Sequence, residues 1–141
     1  MESTQKQPTC EQRVDEQLTS TLEALRTLWE WYCDGKEEDH PDYGNLYEYG
    51  LSFDYVAPNT FKDQEQGYFR YQLSWGGPSD EFRYYVNPDF TAYRVEYWFL
   101  DWFDGACRVL RGKDHELLLD IYDTFFFDNG TVEHAYMEAT Q

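Results

Sequence analysis

Phe69-Arg70-Tyr71-Gln72-Leu73-Ser74-Trp75-Gly76-Gly77-Pro78-Ser79-Asp80-Glu81-Phe82-Arg83-Tyr84-Tyr85-Val86 decides the fold class. Phe69, Tyr71, Leu73 and Trp75 alternate with Arg70, Gln72 and Ser74, and across the Gly-Gly-Pro-Ser-Asp turn Phe82, Tyr84 and Val86 alternate with Glu81, Arg83 and Tyr85. An apolar residue at every second position is the period of a strand with one buried face, and two such runs joined by a short turn are an antiparallel hairpin. The pattern extends both ways. Tyr47, Tyr49, Leu51, Phe53 and Tyr55 predict a strand before it, and Tyr93, Val95, Tyr97 and Phe99 one after Asn87-Pro88-Asp89.

Outside this block the period changes to 3.6. Val14, Leu18, Leu22, Leu25, Leu28, Trp29 and Tyr32 recur at steps of three and four, so Glu11 to Cys33 reads as one long amphipathic helix stopped by Gly35. Residues 1–10 read as a flexible arm and 11–141 as a single domain. Beyond Leu100, Asp101 to Leu110 reads as a short helix. Asp114 caps a second with the stripe Leu117, Leu118, Ile121, Tyr122 and Phe125, and Thr131 starts a third after Asn129-Gly130. The expected architecture is α+β in two layers: a long N-terminal helix, a four-stranded antiparallel meander, and two or three C-terminal helices.

The charge is as informative as the period. The 141 residues carry 28 acids and 11 Lys and Arg, a net charge of −17. Residues 37–66 hold −7 and residues 99–141 hold −6, while the strands at 67–98 hold only −1. Arg70, Arg83 and Arg94 stand among Glu48, Asp54, Glu81 and Glu96 on the outward positions, which predicts a self-neutralising ladder. The unpaired acid then falls on loops and helices. With 20% aromatic residues the chain has the material for a core, unlike acidic disordered segments. Its field repels nucleic acid and anionic membranes, so neither is expected as a direct partner. No run suits a membrane span, the start does not resemble a signal peptide, and Cys10, Cys33 and Cys107 read as free thiols, with Cys33 and Cys107 as small buried hydrophobes on helices. The expected compartment is the cytoplasm.

Motifs for chemistry are sparse. His40, His115 and His134 have no ligand spacing, and His40 among Glu37, Glu38, Asp39 and Asp42 lacks the ordered oxygen ligands of a calcium loop, so no metal or cofactor is expected. No nucleophile elbow, phosphate loop or dinucleotide fingerprint occurs. Asp101 with Asp104, or Asp120 with Asp123, supplies the carboxylate pair of a hydrolase, but 28 acids make such pairs unavoidable. Tyr68, Tyr85, Trp98, Trp31 and Trp102 fall off the apolar faces and suit a partner or homodimer interface. Glu116, Asp120 and Asp123 share one helix face at spacings of about 4.5–6 Å along the axis, near the ~3.4 Å phosphate repeat of a DNA strand.

The stretches 47–55, 75–84 and 96–106 resemble small acidic proteins carried by bacterial plasmids and phages. Some members of that broad group are anti-CRISPR or antirestriction inhibitors that act as DNA mimics. The resemblance implies a non-enzymatic inhibitor in a bacterial host cell, bound to a basic nucleic-acid-binding protein or ribonucleoprotein complex. Glu37, Glu38, Asp39, Asp42, Glu116, Asp120 and Asp123 are the expected binding residues, with Trp98 and Trp102 as apolar anchors. The competing expectations are an adaptor that binds through exposed aromatics, a carboxylate-dependent hydrolase, and a halophilic surface.

Overall fold

In a computed structural model, which describes residues 9–141, the chain enters helix α1 (Cys10–Cys33) through Thr9. Thr9 Oγ1 accepts the Gln12 backbone N–H at 3.3 Å and Gln12 Oε1 accepts that of Thr9 at 2.9 Å, which satisfies two donors a helix start leaves orphaned. Val14, Leu22, Leu25 and Leu28 form the buried stripe, and Gly35 at φ +77° turns the chain away. Of the residues expected in a flexible arm, Cys10 is helical and 1% exposed, and residues 1–8 lie outside the described part. Cys33, expected to be buried, is exposed.

The sheet has five strands, β1 (Ser52–Val56), β2 (Tyr68–Ser74), β3 (Ser79–Val86), β4 (Ala92–Asp101) and β5 (Asp104–Val109), antiparallel and in chain order. Four were expected. The fifth occupies the stretch read as a short helix: Asp101 pairs with Asp104 across the two-residue turn Trp102-Phe103. That turn contains none of the Gly or Asn that usually marks a tight hairpin, so the sequence does not announce it. Cys107 consequently lies on β5 opposite Trp98 rather than in a helix. Tyr47 and Tyr49, read as the start of β1, form the one-turn helix α2 (Leu46–Tyr49), where Asn45 Oδ1 accepts the Glu48 N–H at 3.0 Å. Register shifts between Gln72 and Ser74 and between Tyr85 and Val86 break the strict alternation, and Trp75 and Tyr93, expected to point inward, are exposed.

Phe69, Tyr71, Phe82, Tyr84, Val95, Tyr97 and Phe99 make the inner face. Helix α1 covers β4 and β5, α3 (Gly112–Tyr122) also meets β4, and α4 (Thr131–Ala139) covers β1, which gives the expected two-layer α+β packing. Asp114, expected as the cap of α3, lies inside its first turn, with Arg111 at the cap position; Gly130, at φ +85°, takes the cap position of α4 expected for Thr131. Between α3 and α4 the residues Asp123–Phe127 form a wider π turn, closed by the Asp128 N–H on the Asp123 carbonyl at 2.9 Å. Its three phenylalanines diverge: Phe125 meets Tyr32 and Tyr47, Phe126 stacks on Phe53 at 4.1 Å, and Phe127 approaches Tyr122. Two core tyrosines pair their hydroxyls with backbone carbonyls, Tyr84 donating to that of Leu118 at 3.0 Å and Tyr122 to that of Phe90 at 2.6 Å. Leu118 is fully buried where helix meets sheet. Leu118→Ala is expected to lower unfolding free energy by about 2–5 kcal/mol in urea titrations with the far-ultraviolet spectrum of the native state unchanged.

Candidate functional site

The site begins with an allocation of cations. Arg70 holds Asp54 through two bonds, Nε–Oδ1 at 2.9 Å and Nη2–Oδ2 at 2.7 Å, while Arg83 meets Glu81 at 2.7 Å and Arg94 meets Glu96 at 2.8 Å. Only Arg70–Asp54 is the cross-strand pair expected on the outer face of the sheet; Arg83–Glu81 and Arg94–Glu96 each join residues two apart on one strand, and Glu48, expected here, lies in α2. Three more arginines tie α1 into the fold: Arg13 to Asp101 at 2.7 Å, Arg26 to Asp114 at 2.9 Å, and Arg108 to Glu11 and Asp15 at 2.8 and 2.9 Å. Six of the seven arginines are thus committed to ion pairs among the described residues.

Several of the remaining acids stand near the C-terminal end of α1. Helix α3 packs beside α1 and presents Glu116 and Asp120 to solvent, with Asp123 exposed at the start of the π turn. The Cys33 thiol is pushed up first by partial desolvation and then by Asp120, Asp34 and Glu30, which places those carboxylates around it. Asp123 is likewise raised, by desolvation first and then by Asp128 and Asp120. Among the described residues none of Glu30, Asp34, Glu116, Asp120, Asp123 and Asp128 has an ion-pair partner. The loop after α1 adds a second set. Glu37, Glu38, Asp39 and Glu48 line a cleft of 470 Å³ whose apolar walls are Trp31, Tyr32, Tyr47 and Phe125. The Trp31 indole N–H donates to the Glu38 carbonyl at 2.7 Å, and Lys36 Nζ lies 4.1 Å from the Trp31 ring centre. Asp39 and Glu48 both accept from Asn45, at 2.9 and 3.3 Å, which fixes this rim.

Of the expected acids, Asp120 stands near Cys33 in the last turn of α1, with Asp123 close to it. Glu37, Glu38 and Asp39 line the cleft against Trp31 and Tyr32 of that turn, and Glu116 is exposed one turn before Asp120 on α3. Asp42 is exposed on the same loop but does not line the cleft. Sequence reasoning missed Glu30 and Asp34, although Glu16, Glu23 and Glu30 recur every seven residues on α1 and mark an outward stripe. It also missed Tyr47 and Phe125 as cleft walls.

The expected anchors lie elsewhere. Trp98 packs on the outer sheet face with the Arg83 guanidinium 3.9 Å from its ring centre, and its indole N–H donates to Glu96 at 2.9 Å. Tyr68, grouped with the exposed aromatics, is 1% exposed. Trp102 is 86% exposed and Phe103 wholly so, at the tip of the β4–β5 hairpin beside the β2–β3 turn that exposes Trp75. That tip adjoins the start of α1, where Asp104 accepts the Cys10 N–H at 2.8 Å. Twenty-four helical residues, about 36 Å of rise, separate it from the acidic end.

The first of the two carboxylate pairs expected for a hydrolase is engaged in structural contacts. Asp101 is bound to Arg13, and Asp104 is lowered mainly by the Cys10 N–H it accepts, so both serve the hairpin. Among the described residues no three His, Cys, Asp or Glu side chains are placed to hold a metal, and no helix is long and apolar enough to cross a membrane. Comparison with family models, with curated proteins and with solved structures finds no match to the chain.

The raised pKa of Asp123 means that the native state holds its proton more tightly than the unfolded state. Its ionisation therefore opposes folding, and that penalty fades as pH falls through the folded-state value. Asp123→Asn is expected to melt higher than the parent at pH 7, with the gap closing toward pH 4 in thermal scans. At the hairpin tip Trp102 holds φ +57°, a region Asn tolerates better, and its side chain has little packing to lose. Trp102→Asn is expected to stabilise by about 1 kcal/mol in urea titrations.

Proposed function

We propose that the protein is a non-enzymatic acidic inhibitor whose end face, built on the last turn of α1, α3 and the loop at 37–48, occupies the basic nucleic-acid-binding surface of another protein. One observation carries this reading: six of the seven arginines are spent in ion pairs while Glu30, Asp34 and Asp120 stand together without an ion-pair partner among the described residues. An array fixed on helices presents anionic charge without a flexible backbone, and so competes with phosphate for the same Lys and Arg side chains. The cleft adds apolar walls at its edge, where a basic side chain can stack on Trp31 or Tyr47 while the carboxylates neutralise it. The resemblance to small acidic plasmid and phage proteins supports a bacterial defence complex, restriction or CRISPR, as the partner class.

A second reading rests on the other end of the molecule. Trp75, Trp102 and Phe103 expose aromatic surface at 74%, 86% and 103% of its maximum, as a protein-binding anchor would. There the acid only keeps an adaptor soluble.

A pull-down from bacterial lysate at low salt and at about 0.5 M salt separates the two readings, because exposed charge pairs are screened within a few ångströms at the higher value. The inhibitor loses its partner at high salt, and the triple variant Glu116→Lys, Asp120→Lys, Asp123→Lys binds the captured partner at least about a hundredfold more weakly at low salt. A salt-resistant complex that survives this triple variant and is destroyed by Trp102→Ala assigns the function to the aromatic tip and overturns the inhibitor reading.

A further inference from the structure

The outer face of the sheet holds a second feature that the acidic end does not use. The loop at 57–67 forms one wall of an open cavity of 650 Å³ on the outer sheet face, lined by Tyr68, Arg83, Tyr85, Arg94, Trp98 and the loop side chains Phe61 to Gln66. The wall is ordered. Gln64 Nε2 donates to the carbonyls of Ala57 and Gln66 at 3.0 and 2.9 Å, and Gln66 donates onward to the Tyr93 hydroxyl.

Two polar groups in this wall have unspent capacity. Arg83 is held with its guanidinium between two rings, 4.6 Å from the centre of Tyr68 and 3.9 Å from that of Trp98. Its Nε donates to Glu81 at 2.7 Å, which orients the plane, while its Nη groups make no hydrogen bond among the described residues. Tyr68 is 1% exposed, and its hydroxyl is the one buried side-chain polar atom among the described residues that lacks a partner. A buried hydroxyl left without a partner costs about 1–3 kcal/mol, so a wall that retains one asks for a ligand atom to satisfy it. Asp63 and Glu65 stand on the loop side of the cavity, and the two acids on the strands are already engaged. Glu96 already accepts from Trp98, Tyr85 and Arg94, and Glu81 holds Arg83.

The surroundings define the ligand. Trp98, Tyr85 and Tyr93 offer ring faces and edges, and Arg83, with Arg94 at the rim, offers a planar fork that matches an oxyanion. The strands that form this face hold −1 over residues 67–98, against −6 over residues 99–141, so they repel an anion less than the acidic end face does. We propose that this cavity binds a small aromatic oxyanion, a planar ring bearing a carboxylate or phosphate, with the oxyanion on Arg83 and the Tyr68 hydroxyl and the ring against Trp98. The site is separate from the acidic end face.

The test follows the Trp98 indole N–H signal by NMR, assigned with Trp98→Phe, during titration with benzoate, phenyl phosphate and neutral benzamide. Saturable shifts with an anion, and none with benzamide, support the site, and whichever of benzoate and phenyl phosphate binds more tightly identifies the head group. Tyr68→Phe and Arg83→Lys retain the ring and the charge, and each is expected to weaken binding about tenfold. No saturable shift up to about 10 mM of either anion, a weaker affinity than any specific site of this kind should show, overturns the proposal. Equal binding of benzamide, or unchanged anion binding by folded Tyr68→Phe, overturns it as well.

Discussion

Seven arginines and four lysines must serve a chain with 28 acids, and how the arginines are distributed constrains everything else. Three are used across the outer face of the sheet and three to fasten α1 to the hairpin, to β5 and to α3. Each exposed pair contributes only about 0–1 kcal/mol, so the pairs do not explain why the protein folds. They explain where its charge is neutral. Cations committed to the sheet cannot soften the field at the far end of α1, and the molecule is polarised by that choice.

The folding energy comes from the other side of the sheet. Tyr and Phe supply most of the large inner-face side chains, and three of the buried tyrosines place their hydroxyls where a carbonyl or carboxylate receives them. Tyr97 donates to Asp80 at 2.6 Å, as Tyr84 and Tyr122 donate to helix and loop carbonyls. Burial, the largest cause in each case, raises all three hydroxyls above their ordinary range, so they remain neutral donors at any physiological pH. A core built this way gains area and directional bonds together, which lets a highly charged chain stay ordered.

Much of this was legible in the residues. Period-two alternation identified β2, β3 and most of β4, period 3.6 identified α1, and the positions of Arg70, Arg83 and Arg94 foretold a neutral outer face. What escaped had local physical causes. The β4–β5 turn uses Trp and Phe where Gly or Asn would have signalled it, so β5 read as a helix. One extra residue at each register shift turned Trp75 and Tyr93 outward against the alternation. The acidic stripe on α3 was visible from spacing, but its meeting with Glu30 and Asp34 depends on how two helices pack. No single-helix pattern contains that information. The orphaned Tyr68 hydroxyl was equally invisible, because it depends on where the loop at 57–67 stands beside the sheet.

The π turn at Asp123–Phe127 has a consequence for the shape of the chain's far end. A regular helix advances about 100° per residue, so accommodating one additional residue displaces the angular phase of all that follows. Three successive phenylalanines, which an unbroken helix would fan to opposite sides, are received by three different parts of the interior. Beyond that segment the chain turns at Gly130 and enters α4 over β1. A one-residue deletion in the π turn removes more than a side chain: it shifts Phe126 and Phe127 out of phase with the rings of Phe53 and Tyr122 that receive them.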